Sequence, residues 1–168
     1  VAVVVASSHA IHQRSLLPTL LSDYGTGTGE RRSWALGEGL DVQLDTRTAL
    51  DSDAVANGRL LTLNSGRVLV ELSAPTHVRI RTAEAHVLPS AGSRLIVSHG
   101  LPGTPGTRVQ LLSGAALVEQ VHGERFELSG GWQQAFDAIQ AGPLLPLPAA
   151  ASAWTQGLLI AERMPLGE

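Results

Sequence analysis

The chain has no cysteine and no lysine among its 168 residues. The first absence excludes thiol catalysis, disulfide staples and zinc–thiolate sites. It is compatible with the cytoplasm, or with a periplasmic domain large enough to stand without staples. The second absence excludes the Walker P-loop and the Schiff-base enzymes, because both need a lysine; all twelve basic residues are arginine. Aromatic residues make up only 4% of the chain, so any core must be aliphatic. Charged residues are scarce at 16%, with a formal net charge of −3, and no basic stripe suited to nucleic acid is present. The apolar run at residues 1–6 is too short to cross a bilayer by itself, and composition alone reads it as a strand.

What the sequence does have is glycine in a recurring place. Glu38-Gly39, Asn64-Ser65-Gly66, Ala91-Gly92-Ser93, Leu112-Ser113-Gly114 and Leu128-Ser129-Gly130 each lie beside a short run of alternating character. A residue that tolerates positive φ, followed by alternation, describes a turn feeding a half-buried strand. Leu40, Val42 and Leu44 alternate with Asp41 and Gln43; Val78 and Ile80 alternate with Arg79 and Arg81. In residues 67–72 the outward set is Arg67, Leu69 and Glu71, so Leu69 interrupts a polar face. Asn57-Gly58 predicts a hairpin joining 48–55 to a strand near 59–63, and His122-Gly123 predicts another between 115–121 and 124–128. Residues 100–107, with two prolines and three glycines, read as an exposed loop.

About ten short strands with turn signals between them describe an all-β fold, an antiparallel β-sandwich or jelly-roll-like domain. Leucines at helical spacing in residues 9–24 add a short N-terminal helical segment. The organisation expected is a terminal segment over 1–24, a sandwich over 25–140, and a linker with a terminal strand over 141–168, the last strand signal falling at Leu158 to Ala161. Trp34, Trp132 and Trp154, the largest side chains in an aromatic-poor chain, are expected to anchor packing.

Thr28-Gly29-Glu30-Arg31-Arg32, followed by residues 41–51, resembles the opening of the FecR family periplasmic domain. Glu38-Gly39 stands for that family's Asp-Gly, and Leu44-Asp45 for its Leu-Asn. The resemblance continues through Arg59 to Val70, Val78 to Thr82, Ala91 to Val97 and Val109 to Val118, and closes with Ala153 to Ile160 and Pro165-Leu166. Each phrase is weak alone; their order and spacing carry the likeness. It implies the periplasmic, inner-membrane-anchored sensing part of a bacterial anti-sigma regulator. Such a regulator hears an outer-membrane TonB-dependent siderophore transducer and holds a sigma factor through a cytoplasmic domain outside this chain. Residues 1–6 would then be the outer end of the preceding transmembrane helix. The Pro-Leu phrase opens, in relatives, a small subdomain resembling the transducer's own signalling domain; here it is expected to be truncated, so that most transducer contact lies outside the chain.

No cofactor, metal or nucleic-acid partner and no enzyme activity are expected. Among the six histidines only His9 and His12 are closely spaced, with no third ligand in register. No Gly-X-Ser-X-Gly elbow or His-Glu-X-X-His helix appears. The Gly25–Gly29 alternation lacks the spacing of a phosphate loop and reads as a flexible connection. Arg79 and Arg81, on one strand face, are candidates for meeting an acidic partner or for a solvated face. Gly92-Ser93 corresponds to a Gly-Thr at which some relatives break by attack of the hydroxyl on the preceding carbonyl carbon. Serine supplies the needed β-hydroxyl, so self-cleavage there is an alternative function. A binding module for carbohydrate or peptidoglycan is the other.

Overall fold

The structure, a computed structural model, describes residues 21–37 and 39–156. The helical expectation for residues 9–24 and the strand signal at 158–161 fall almost entirely outside them; within them Tyr24–Gly25 is a strand, β1. Twelve more strands follow: β2 (Arg32–Gly37), β3 (Leu40–Leu44), β4 (Ala49–Val55), β5 (Gly58–Leu72), β6 (His77–Arg81), β7 (Ala85–Pro89), β8 (Ser93–Leu101), β9 (Thr104–Ser113), β10 (Ala115–Gln120), β11 (Arg125–Ser129), β12 (Trp132–Phe136) and β13 (Leu145–Pro146). A single 3-10 turn, Ala153–Gln156, follows.

The fold is all-β, a sheet curled into two layers. The first layer runs β1-β4-β5-β6-β7-β10-β11, and the second runs β2-β3-β5-β8-β9-β12-β13. β5 belongs to both. Its first half pairs with β4 and β6, and from Gly66 onward it pairs with β3 and β8. The sequence pattern predicts two strands here separated by a glycine turn. One bent strand is found instead, because a bulge at Asn64 and Gly66 at φ 97° turn the chain without ending its pairing. A side chain at Gly66 would place its Cβ 2.6 Å from Thr48 Cα, so only glycine fits.

Three more of the glycine phrases do the same work. Gly92 lies between β7 and β8, Gly114 between β9 and β10, and Gly130 between β11 and β12, and at each the chain passes from one layer to the other. Only Gly39 closes a hairpin within one layer, between β2 and β3. The corners at Gly92, Gly114 and Gly130 stack at one end of the molecule. Gly92 N donates to Leu72 O at 2.7 Å and Gly130 N to Gly114 O at 2.9 Å. The bend at Gly66 lies at the other end of the second layer, where it pairs with His99.

The inner faces pack Leu61, Leu63, Ile80, Val87 and Val118 of the first layer against Val68, Val70, Leu95, Val97 and Leu111 of the second, with Phe136 the one fully buried aromatic ring. Burial of these aliphatic side chains supplies the driving force that few aromatics could. Both predicted hairpins form, Val55 opposite Gly58 and the β10–β11 pair.

Two further expectations are corrected. Strand pairing is not wholly antiparallel: β5 and β6 run parallel, Gly58 opposite His77. The second half of β5 serves as the crossover, so the short turn 73–76 suffices to return the chain to the first layer. Residues 100–107 are not a free loop but the far end of the β8–β9 hairpin, Leu101 opposite Thr104. Pro105 and Gly106 are tolerated because the register shifts there, between the His99–Thr107 and Leu101–Thr104 pairs, into a bulge.

Candidate functional site

Ser93 opens β8 at the stacked corners, and its side chain is buried. Its Oγ donates to Ala115 O at 2.8 Å and accepts from Ala115 N at 3.2 Å, satisfying both groups of the neighbouring corner. Ser93 N donates to Ser90 O at 3.2 Å. The preceding Gly92 is exposed at φ 80°. An N-to-O acyl shift would require the Ser93 Oγ–H to give up its proton while Oγ attacks the Gly92 carbonyl carbon. In this geometry that proton is held by a carbonyl oxygen, and no carboxylate or imidazole among the described residues bonds to Oγ. The hydroxyl thus braces one layer-crossing corner on the next.

The three tryptophans differ. Trp34 on β2 is half-buried, with its ring 5.0 Å from that of Tyr24 in an edge-on contact against the main core. Trp132 on β12 is 41% exposed. Trp154, in the 3-10 turn, is buried on the outer face of the second layer against Leu69 and Ile96. The Arg67 guanidinium lies 4.8 Å from the Trp154 ring centroid. Leu69, which interrupts the polar alternation of β5, is thereby covered.

Arg67 also enters the strongest charge cluster. Asp45, at the corner between β3 and β4, is almost fully buried, and its carboxylate accepts from Arg31 Nε at 2.8 Å and Arg67 Nε at 2.9 Å. Burial pushes the Asp45 carboxyl up, but hydrogen bonds from Arg31 and Arg67, with the Thr46 backbone, outweigh it and hold the group below its ordinary range. The sequence reading did not single out this residue. Its partners lie 14 and 22 positions away, so no local spacing announces the cluster.

A second polar clasp joins the layers near the Gly66 end. Thr107 donates to Glu84 Oε2 at 2.7 Å and lies 2.6 Å from Thr82 Oγ1, while His99 Nδ1 sits 3.0 Å from the same Glu84 oxygen. Among the described residues no three histidine or acidic side chains converge as a metal site would need. No helix among them is long and apolar enough to cross a membrane.

Arg79 and Arg81 are exposed on the outer face of the first layer. Arg81 donates to Thr62 Oγ1 at 3.1 Å, and neither arginine has a carboxylate partner among the described residues. His86 lies across from Arg81 on β7. Partial burial, then the charges of Arg79 and Arg81, lower its imidazole below the usual range against a smaller opposing effect of Glu119. The arginine pair thus places positive charge beside His86.

The ordered corners, the bent β5 and the β8 start at Ser93 coincide with the family likeness. Residues 22–100, β1 through nearly all of β8, match the family described as FecR protein. The chain contains a FecR-family domain. The phrases beyond residue 100 lie outside that match. The FecR-family strands and those after them share their fold with two crystal structures, at 1.65 and 2.50 Å resolution, of a candidate anti-sigma factor from Parabacteroides distasonis ATCC 8503. The TM-scores are 0.66 and 0.64, each at 19% identity, covering 79% of this chain and 63% of that one. The chain thus spans less than two thirds of that protein's length. Comparison with curated proteins gives no match.

Proposed function

We propose that this FecR-family domain is the periplasmic sensing part of a transmembrane anti-sigma regulator. In that role it relays the state of an outer-membrane TonB-dependent siderophore transducer to an extracytoplasmic-function sigma factor held in the cytoplasm. The observation that carries the reading is the FecR match over residues 22–100 on a fold shared with the candidate anti-sigma factor. The architecture is consistent with relay rather than catalysis. The polar clusters at Asp45 and at Glu84–His99 join strands of the scaffold, and the Ser93 hydroxyl is spent on Ala115.

The glycan-binding alternative asks for a row of exposed aromatic rings on which sugars stack. Among the described residues Trp132 is the one large exposed aromatic side chain. Capture of transducer signalling domains by the complete periplasmic region, read together with a sigma-dependent reporter, tests the sensing role. A captured signalling domain whose loss silences the reporter is the expected result; binding to peptidoglycan with no signalling domain captured would replace it.

Self-cleavage is a separate reading with a separate test. Attack of Ser93 Oγ on the Gly92 carbonyl carbon would transfer the Oγ proton to the Ser93 nitrogen and exchange the amide for an ester. Water would then release a fragment beginning at Ser93. Intact mass after long incubation distinguishes the outcomes, and the Ala115 bonds favour the uncut chain.

A further inference from the structure

The β4–β5 hairpin and strands β6 and β7 border a depression of about 490 Å³ on the first layer. Val55, Leu60 and Leu88 give it apolar lining, while Arg59, Arg79 and His77 supply polar and cationic lining. Among the described residues no carboxylate lines it. The acidic groups on this face lie outside the lining, Glu127 on β11 among them. Asp51 accepts from Asp23 N and Asn64 Nδ2, Glu119 pairs with Arg125, and Asp53 sits opposite Leu60 one strand beyond. Arg59, opposite core-facing Val78, turns its side chain to the other side of the sheet and donates to Ser52 Oγ at 2.8 Å.

We propose that this depression docks an acidic peptide segment of a partner protein, its apolar side chains seated against Leu60 and Leu88 and a carboxylate paired with Arg79. Charge complementarity commits the site to an anion, since Arg79, beside an apolar depression and with His77 on the same face, gains a bidentate pair from a carboxylate. The apolar lining asks that the anion also carry hydrocarbon. A second copy using the same face would set arginine against arginine, which disfavours a symmetric dimer here. A small amphiphile needs enclosure over most of its surface, whereas the outer face of a sheet leaves one side of the occupant free. A peptide lying across β5, β6 and β7 keeps that side in water. The inference goes beyond the sensing role and holds for the isolated chain.

The test uses the whole chain and a fluorescein-labelled hexapeptide alternating Asp and Leu, with the Asn/Leu peptide as neutral control. Fluorescence anisotropy should show saturable binding of the acidic peptide that weakens as salt shortens the range of the charges. Arg79→Glu should weaken it about tenfold or more, while Arg125→Glu, on the same layer but paired with Glu119, leaves it within about twofold. Arg79 is exposed, so circular dichroism should show the variant folded. Absence of binding by the wild type overturns the proposal. So does equal binding of the neutral peptide, or of folded Arg79→Glu. Displacement by octanoate at the concentration at which the peptide binds would assign the site to a small amphiphile instead.

Discussion

On the second layer Leu69 and Ile96 point away from the core and lie beneath Trp154, whereas on the first layer Leu60 and Leu88 remain half-exposed beside Arg79. The charges beside these two patches differ as well. Arg67 and Arg31 share the Asp45 carboxylate, and Arg94 pairs with Glu71 at 2.8 Å, all on the second layer or at its corner. Arg59, Arg79 and Arg81 on the first layer bond only to hydroxyls or to nothing among the described residues. The patch at Leu69 and Ile96 is covered by the chain itself; the one at Leu60 and Leu88 keeps apolar surface and an arginine together. Patches of that kind mark interaction sites more often than isolated exposed leucines do.

Removing the cover is the most drastic way to break this contrast. Trp154→Ala should cost about 3 kcal/mol, because a buried ring is lost and Leu69 and Ile96 become exposed. Urea unfolding followed by circular dichroism reads the loss. Trp154→Phe sharpens the point. The buried Trp154 Nε1 has no hydrogen-bond partner among the described residues, so keeping an aromatic ring while discarding that N–H should cost less than about 1 kcal/mol. Next comes Asp45→Asn, expected to cost about 2 kcal/mol, below the usual penalty for a broken buried pair because both arginines reach water. Its pH signature is specific. The folded Asp45 carboxyl is held below its ordinary value of 3.8, so the unfolded chain takes up the proton first. Its contribution is complete above pH 3.8 and disappears as the pH falls through the lower folded value. Asp45→Asn should therefore flatten the acid limb of stability against pH.

Ser93→Ala tests the corner that both layers share. Both Ala115 groups lose their side-chain partner, at an expected cost of about 1 kcal/mol, and the mass of wild type and variant alike should stay intact. A fragment starting at Ser93 in the wild type alone would convert the brace into a reacting group.

Local alternation made much of the fold legible. Inward Val78 and Ile80 against outward Arg79 and Arg81, and the Asn57-Gly58 hairpin, needed only near neighbours along the chain. The glycine phrases were legible as punctuation but not as corners, because positive φ serves a hairpin and a change of layer equally well. What distinguishes Gly39 from Gly92 or Gly114 is the partner strand, and that is set by distant register. Leu69 looked like a flaw in a polar face for the same reason, since the tryptophan that covers it arrives far later in the chain. Of the candidate site, Ser93 and the arginine pair were visible as residue types. That the Ser93 proton is occupied, and that Arg79 lacks a carboxylate, depended on which strands came to lie beside them.

Arg79→Glu gives the smallest change in stability and the sharpest reading of the open face. An exposed side chain without an ion pair among the described residues has little to lose, so stability should shift by less than about 0.5 kcal/mol. Its electrostatic effect should nevertheless be local and measurable. Arg79 is among the charges that hold the His86 imidazole below the usual range, after burial itself. Replacing that cation by an anion should raise the His86 titration midpoint, followed by NMR of the ring protons. A low imidazole midpoint means the unfolded chain binds a proton the native chain resists, which erodes stability as the pH falls through His86's ordinary value of 6.5. Arg79→Glu should thus lose less stability than the wild type over that interval. The same reversal on the covered layer, Arg67→Glu, would place a second carboxylate against Asp45 and beneath Trp154, with a cost of several kcal/mol. If both reversals proved equally harmless, the two faces would not differ as their charges indicate.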